Sequence, residues 1–235
     1  ESYPPEALLL PAYDYRKDPE AVIATAPDLV LVRPMMMRVA PEYIEVLERA
    51  GLTVVSLYPE TFAEFPAYIR QLAILTGTEE QAEVMLAERM EALAALQAEA
   101  ETWGKRVPLF FECTADPLRT LTRDALAAET VRLAGGELIG SLEAPENPGS
   151  SMTPYPIEKL LEQGDSVAMY VAQRGGMNPS VTEEEIRARP GYQAIAAVRE
   201  GHLLILEEKL ISSPVFRQIE GARALQKAMK EWMIP

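Results

Sequence analysis

The chain has 235 residues, 48% of them hydrophobic and 25% charged, with a formal net charge of −14. That length and apolar content fit one large or two small globular domains. The acidic excess argues against nucleic acid and anionic membrane surfaces, which call for clustered Lys and Arg. One Cys permits no intrachain disulfide, and one Cys with one His argues against a His/Cys zinc set. No apolar run reaches the ~20 residues that span a bilayer. No signal peptide is recognisable, and the abrupt opening ESYPPEALLL suggests a processed or truncated N-terminus.

Residues 1–17, rich in Tyr and Pro, read as irregular. Asp18-Pro19-Glu20 opens a short helix to Ala26, with Asp18 as N-cap, Pro19 at the first helical position and Pro27 as its stop. DLVLVR (28–33) reads as a buried strand, 41–50 as a helix ended by Gly51, and LTVVSL (52–57) as a second strand. A helix over 61–76 presents Phe62, Phe65, Ile69, Leu72 and Leu75. This βαβα alternation implies a parallel sheet flanked by helices. Next comes the longest helix, 78–103, about 38 Å at 1.5 Å per residue. Ala82, Leu86, Met90, Leu93, Leu96, Ala100 and Trp103 form its apolar stripe, and Thr78 with Gln81 has capping-box spacing.

The pattern then restarts. VPLFFE (107–112), 166–172 and HLLIL (202–206) read as strands. Residues 123–134, 156–163, 182–189, 192–199 and 214–232 read as helices, and 141–155 as a loop. The expected fold is α/β: two lobes with mainly parallel sheets flanked by helices, joined by one long α-helix. The divisions are 1–77, 78–104 and 105–235. A two-stranded sheet is too small to stand alone, so the first lobe is expected to be N-terminally incomplete.

Ligands of open α/β sheets bind beyond the carboxyl ends of the strands. That rule selects the loops at 34–38, 113–123, 173–178 and 207–214. Met35, Met36 and Met37 suit core packing under a loop, an adaptable pocket wall, or ligation of a soft metal or haem iron. Arg38, Arg123 and Arg174 are candidates for a bidentate grip on a ligand carboxylate or phosphate, or else solvated surface groups. Met177 follows Gly175-Gly176 in the third loop and joins the candidate ligand contacts. Glu112 reads as a pocket carboxylate or an exposed strand end, Cys113 as a small buried hydrophobe, and His202 as structural. No nucleophile elbow, Walker loop, dinucleotide fingerprint or HExxH is present.

PEAVIATAPDLVLV, AGLTVVSL, FPAYIRQLAILTGTEEQAEVML and LAGGELIG together resemble the ABC-transporter substrate-binding proteins of the cobalamin, siderophore and haem class. The resemblance covers nearly the whole chain, with Leu138 where the family has Asn. It implies two α/β lobes joined by one helix. It further implies an iron–siderophore, corrinoid or haem bound between the lobes, and delivery to a membrane permease. It implies an extracytoplasmic, periplasmic or lipid-anchored location, a monomer with no resident cofactor, and no catalysis. The family's two permease-docking carboxylates fall on Glu20 and Glu158. The rival is a tetrapyrrole-metal chelatase, which has a related architecture and uses His with Glu. Here His202 stands at the wrong end of its strand for that role.

Overall fold

The computed structural model describes residues 11–14, 17–140 and 150–233. The chain divides into two compact units, at Tyr58/Pro59.

In the first unit α1 (Pro19–Ala24) starts where Asp18 accepts a hydrogen bond from the Ala21 amide at 3.0 Å. Strand β1 (Val30–Val32) follows, then α2 (Pro34–Val39), α3 (Pro41–Arg49) and β2 (Val54–Ser56). β1 and β2 pair in parallel, Val30 opposite Val54 and Val32 opposite Ser56. Val32, Ile44 and Leu47 are buried, whereas Leu31 is exposed. Strand side chains alternate between faces, so the buried strand expected over 28–33 is covered on one side only. The stretch 34–38, expected as a loop, is α2. Pro34 pre-sets its first turn, and Met and Arg are good helix formers.

The second unit opens with a capping box that the sequence reading placed elsewhere. Glu64 accepts from the amides of Glu60 and Thr61 at 2.8 and 3.4 Å. Thr78, expected to cap the long helix, instead shares a 2.8 Å hydrogen bond with the Thr76 hydroxyl. Helix α4 (Phe65–Thr76) ends at Gly77, whose φ of 65° is left-handed, and α5 (Glu79–Glu101) turns back along it. Residues 59–77, assigned above to the first lobe, pack here: Phe65, Ile69 and Ala73 share a cluster with Ala82, Leu86 and Leu126. Helix α5 buries Ala82, Leu86, Arg89, Leu93, Leu96 and Ala100, a regular alternation of four and three residues. Met90 lies one residue off that stripe and is exposed, so Arg89 takes the place expected of Met90.

Beyond α5 come β3 (Val107–Glu112), the short β4 (Thr114–Ala115) and β5 (Leu118–Leu121), α6 (Leu126–Leu133) and β6 (Gly136–Leu138). Strand β7 (Met152–Pro154), α7 (Ile157–Glu162), β8 (Met169–Arg174) and α8 (Glu183–Ala188) follow. The chain closes with α9 (Ala196–Glu200), β9 (Leu203–Glu207), α10 (Glu208–Ile211) and α11 (Gln218–Met233). Strands β6-β3-β8-β9 form a parallel sheet. It is buried on both faces, as parallel sheets are. Leu109, Phe111, Met169 and Val171 face one cluster with α6 and α11, while Phe110, Tyr170 and Ala172 face another with Leu160, Ile186 and Ile195. The segment 113–123, expected as a loop, is a hairpin. Its β5 pairs with β7, which lies inside the expected loop 141–155.

Gly221 of α11 packs on α10 so closely that an added Cβ would meet the Leu210 carbonyl oxygen at 2.0 Å. Helix propensity alone favours Ala over Gly by about 1 kcal/mol. Gly221→Ala is nevertheless expected to lower the melting temperature, because overpacking against backbone costs about 1–3 kcal/mol. Calorimetry or circular-dichroism melts check the sign.

Candidate functional site

Parallel pairing brings the carboxyl ends of β3, β8 and β9 to one rim of the second unit, at Glu112, Arg174 and Glu207. Glu112 is fully buried there. A carboxylate in that position must be paired and hydrogen-bonded. The Tyr170 hydroxyl donates to Oε2, Asn178 Nδ2 donates to Oε1 at 2.8 Å, and Arg189 forms an ion pair through Nη1, with Nη2 3.2 Å from Oε1. Glu112 is thus neither a pocket carboxylate nor an exposed strand end. Arg189 also binds Glu185 in bidentate fashion, at 2.8 and 2.7 Å, and its guanidinium lies 5.2 Å from the Tyr192 ring centroid. Burial alone would lower the Arg189 pKa, but the hydrogen bonds to Glu185 and Glu112 and the Glu112 charge hold it above its ordinary value. Burial, together with the Glu112 charge, pushes the Tyr170 phenol far up, so it stays a donor.

This network holds one wall of a groove of about 720 Å³. The groove is lined by the β4–β5 turn at Ala115, Asp116, Pro117 and Leu118, by residues 153–157, and by Lys159 and Tyr192. The Lys159 ammonium lies 5.2 Å from the Tyr155 ring centroid. One carboxylate, one ammonium and two phenol rings around a mixed lining suit a small ligand that has both flat and charged parts.

The third loop is internally committed. Arg174 donates through Nε and Nη2 to the Val181 carbonyl at 3.3 and 2.9 Å, and its Nη1 lies 3.6 Å from Glu207. Glu208 accepts from the Gly176 amide at 3.2 Å, and a Cβ on Gly175 would meet its Oε2 at 1.9 Å. The close approach that the glycine pair permits is therefore to Glu208. Met177 is exposed on that loop. Arg123 is exposed ahead of α6; among the described residues its side chain has no ion pair, and its carbonyl accepts from Arg132 at 3.4 Å. None of Arg123, Arg174 and Met177 lines the groove. Cys113 is buried, and burial pushes its thiol above the ordinary range.

In the first unit, helical spacing turns each of the three methionines about 100° from the last. Met35, with Val39 one turn on, lines a groove of about 810 Å³ that also includes Lys17, Pro19, Glu42, Tyr43 and Val46. Met36 is half-buried, and Met37 and Arg38 are exposed. Burial, with Asp18 and Asp14 nearby, raises the Tyr43 phenol pKa. Glu20 and Glu158 are both exposed, each in the first turn of its helix, α1 and α7. Arg189, Tyr170, Asn178 and Tyr192 escaped the sequence reading. The available signal was the charged end of VPLFFE, a strand too apolar to leave Glu112 unpaired.

A family model described as periplasmic binding protein matches residues 11–210. The chain belongs to the periplasmic binding protein family. An uncharacterized ABC transporter substrate-binding lipoprotein of Bacillus subtilis, YvrC, is 24% identical over 234 residues, 97% of this chain and 70% of the relative. The apo structure of the periplasmic heme-binding protein RhuT from Roseiflexus sp. RS-1 matches with a TM-score of 0.79 at 18% identity, over 98% of this chain and 87% of that one. The triscatecholate siderophore-binding protein FeuA of Bacillus subtilis, complexed with ferri-bacillibactin, matches with a TM-score of 0.72 at 14% identity, over 91% and 74%. Family membership makes the protein extracytoplasmic. Among the described residues no helix is long and apolar enough to cross a membrane.

Removing Arg189 leaves a buried carboxylate with neutral donors only. Arg189→Met is expected to destabilise the second unit by about 3–5 kcal/mol. Urea unfolding checks it, as a lower midpoint at an unchanged slope.

Proposed function

We propose that this periplasmic binding protein is the substrate-binding component of an ABC importer and that it carries a ferric siderophore or a related metal chelate to its permease. The observation that carries the reading is the family match across residues 11–210. Relatives of the same fold include a ferri-bacillibactin complex and a heme-binding protein. A chelate is favoured over a bare ion because, among the described residues, no three His, Cys, Asp or Glu gather to hold one. The chain's one histidine is not placed to serve as an iron ligand in the groove. His202 precedes β9, at the end opposite the groove rim, and stacks on Trp232 with ring centroids 5.4 Å apart. The same placement argues against chelatase chemistry and favours a carrier.

The second-unit groove, with Lys159 and its two tyrosines, is the ligand surface that this reading favours. Quenching of intrinsic Trp and Tyr fluorescence by ferric catecholates, ferric hydroxamates, hemin and cyanocobalamin tests the reading. A ferric siderophore is expected to bind, and Lys159→Ala, which removes the cation that lines the groove, is expected to weaken an anionic chelate by about 1.5–3 kcal/mol. Binding of hemin or cyanocobalamin alone would move the ligand within the class. Binding of none of the four would overturn the proposal.

Glu20 and Glu158 are proposed as the permease-docking pair, one exposed carboxylate on each unit. Charges at a rim act mainly on encounter and orientation. Glu20→Arg combined with Glu158→Arg is therefore expected to leave ligand affinity nearly unchanged while abolishing ligand-stimulated ATPase activity of the reconstituted transporter. A double variant that stimulates normally refutes the assignment; one that loses ligand binding moves both residues into the ligand site.

A further inference from the structure

The helices α4, α5 and α11 surround a buried cation that has no ion pair among the described residues. Arg89 is 5% exposed, in a chain whose acidic residues outnumber its basic ones by 36 to 22, yet among the described residues it has no ion pair. Its guanidinium lies between two rings, 4.1 Å from the Phe65 centroid and 4.5 Å from that of Phe62. Nη2 donates to Gln218 Oε1 at 3.2 Å, and Gln218 is itself anchored by Nε2 donating to the Ile211 carbonyl at 3.2 Å. Nε is buried without a hydrogen-bond partner among the described residues. The rings cover the faces of the guanidinium and Gln218 meets one N–H, so its edge is left short of acceptors. Burial pulls the Arg89 pKa down to about 10, the direction expected of a cation with no anion beside it.

Arg89 also lines a cavity of about 200 Å³ between α5 and α11. Arg223 reaches the same cavity from α11, is exposed, and forms no ion pair among the described residues. Met85, Phe216 and Ile219 supply apolar walls, and Glu88 is the one acidic side chain in the lining. Two guanidinium groups against one carboxylate leave the lining net positive on a strongly negative protein. The volume holds several waters, or one tetrahedral oxyanion with part of its hydration.

We propose that this cavity binds a small oxyanion of the size of inorganic phosphate, gripped by Arg89 from the buried side and by Arg223 from the exposed side. The guanidinium fork matches the oxygen spacing of such an anion, and charge-assisted hydrogen bonds in a half-dry site are the strong ones. The bound anion neutralises the buried charge and ties α5 to α11, while Nε stays sealed from the cavity. The site stands apart from the second-unit groove and does not depend on which chelate the protein carries.

Thermal melts of the full chain with added inorganic phosphate, at ionic strength held constant with sodium chloride, test the proposal. Phosphate is expected to raise the melting temperature by mass action, and calorimetric titration is expected to saturate at one site. Arg223→Ala alters only an exposed side chain and is expected to weaken phosphate binding about tenfold or more. Arg89→Met keeps the apolar stem and is expected to abolish the phosphate-dependent rise, whatever its own melting temperature. No rise in the unmodified chain beyond the chloride control, or an undiminished rise in Arg223→Ala, overturns the site.

Discussion

A carboxylate at the end of a buried strand is the constraint around which the second unit's rim is arranged. Glu112 has no exposed surface, so each of its oxygens must find donors within the fold. Tyr170 supplies one from the neighbouring strand, Asn178 one from the loop after β8, and Arg189 two from the segment after α8. Three separate pieces of chain are thereby fixed to one point. Tyr192 follows because Arg189 lies over its ring, and the groove wall follows from Tyr192. The shape of a surface that can meet a ligand is thus set by a group that touches only protein.

The same argument explains why Arg174 and Glu208 matter to shape. They hold the loop 175–181 from its two sides, one through the Val181 carbonyl and the other through the Gly176 amide. A loop held in this way presents Met177 to solvent. Arg174 is engaged in such ties, and Arg123, though exposed, does not line the groove, which leaves Lys159 as the cation in its lining.

Much of the architecture was legible in the sequence because periodicity reports burial. The alternation of strands and helices, the limits of β3 and the length of α5 all follow from apolar spacing and from Gly and Pro punctuation. What was lost has physical reasons. The hairpin β4–β5 and strand β7 are short and stabilised by pairing with each other, which no local pattern reports. The stretch Pro34–Val39 was read by its position after a strand, and its strong helix formers were passed over. Met90 was placed on the buried stripe because it is apolar; the 4-3 spacing selects Arg89, whose long stem and flat head pack against Phe62 and Phe65 as a hydrophobe would. Of the candidate site, the strand-end rule located the rim, but the residues that shape it are paired across long sequence distances and leave no local trace.

Helix α5 has a temporal consequence as well. Its polar ties to α11 are Gln218 for Arg89, Gln226 for the Leu96 carbonyl and Lys230 for Glu99, at sequence separations of 129, 130 and 131 residues. A ribosome finishes α5 long before it makes α11, so only the Ala82–Leu86 end of the stripe, covered by α4, has its partners when α5 is complete. Contacts this distant along the chain close late and slowly. A chain cut before α11 would therefore lack all three of these α5 contacts.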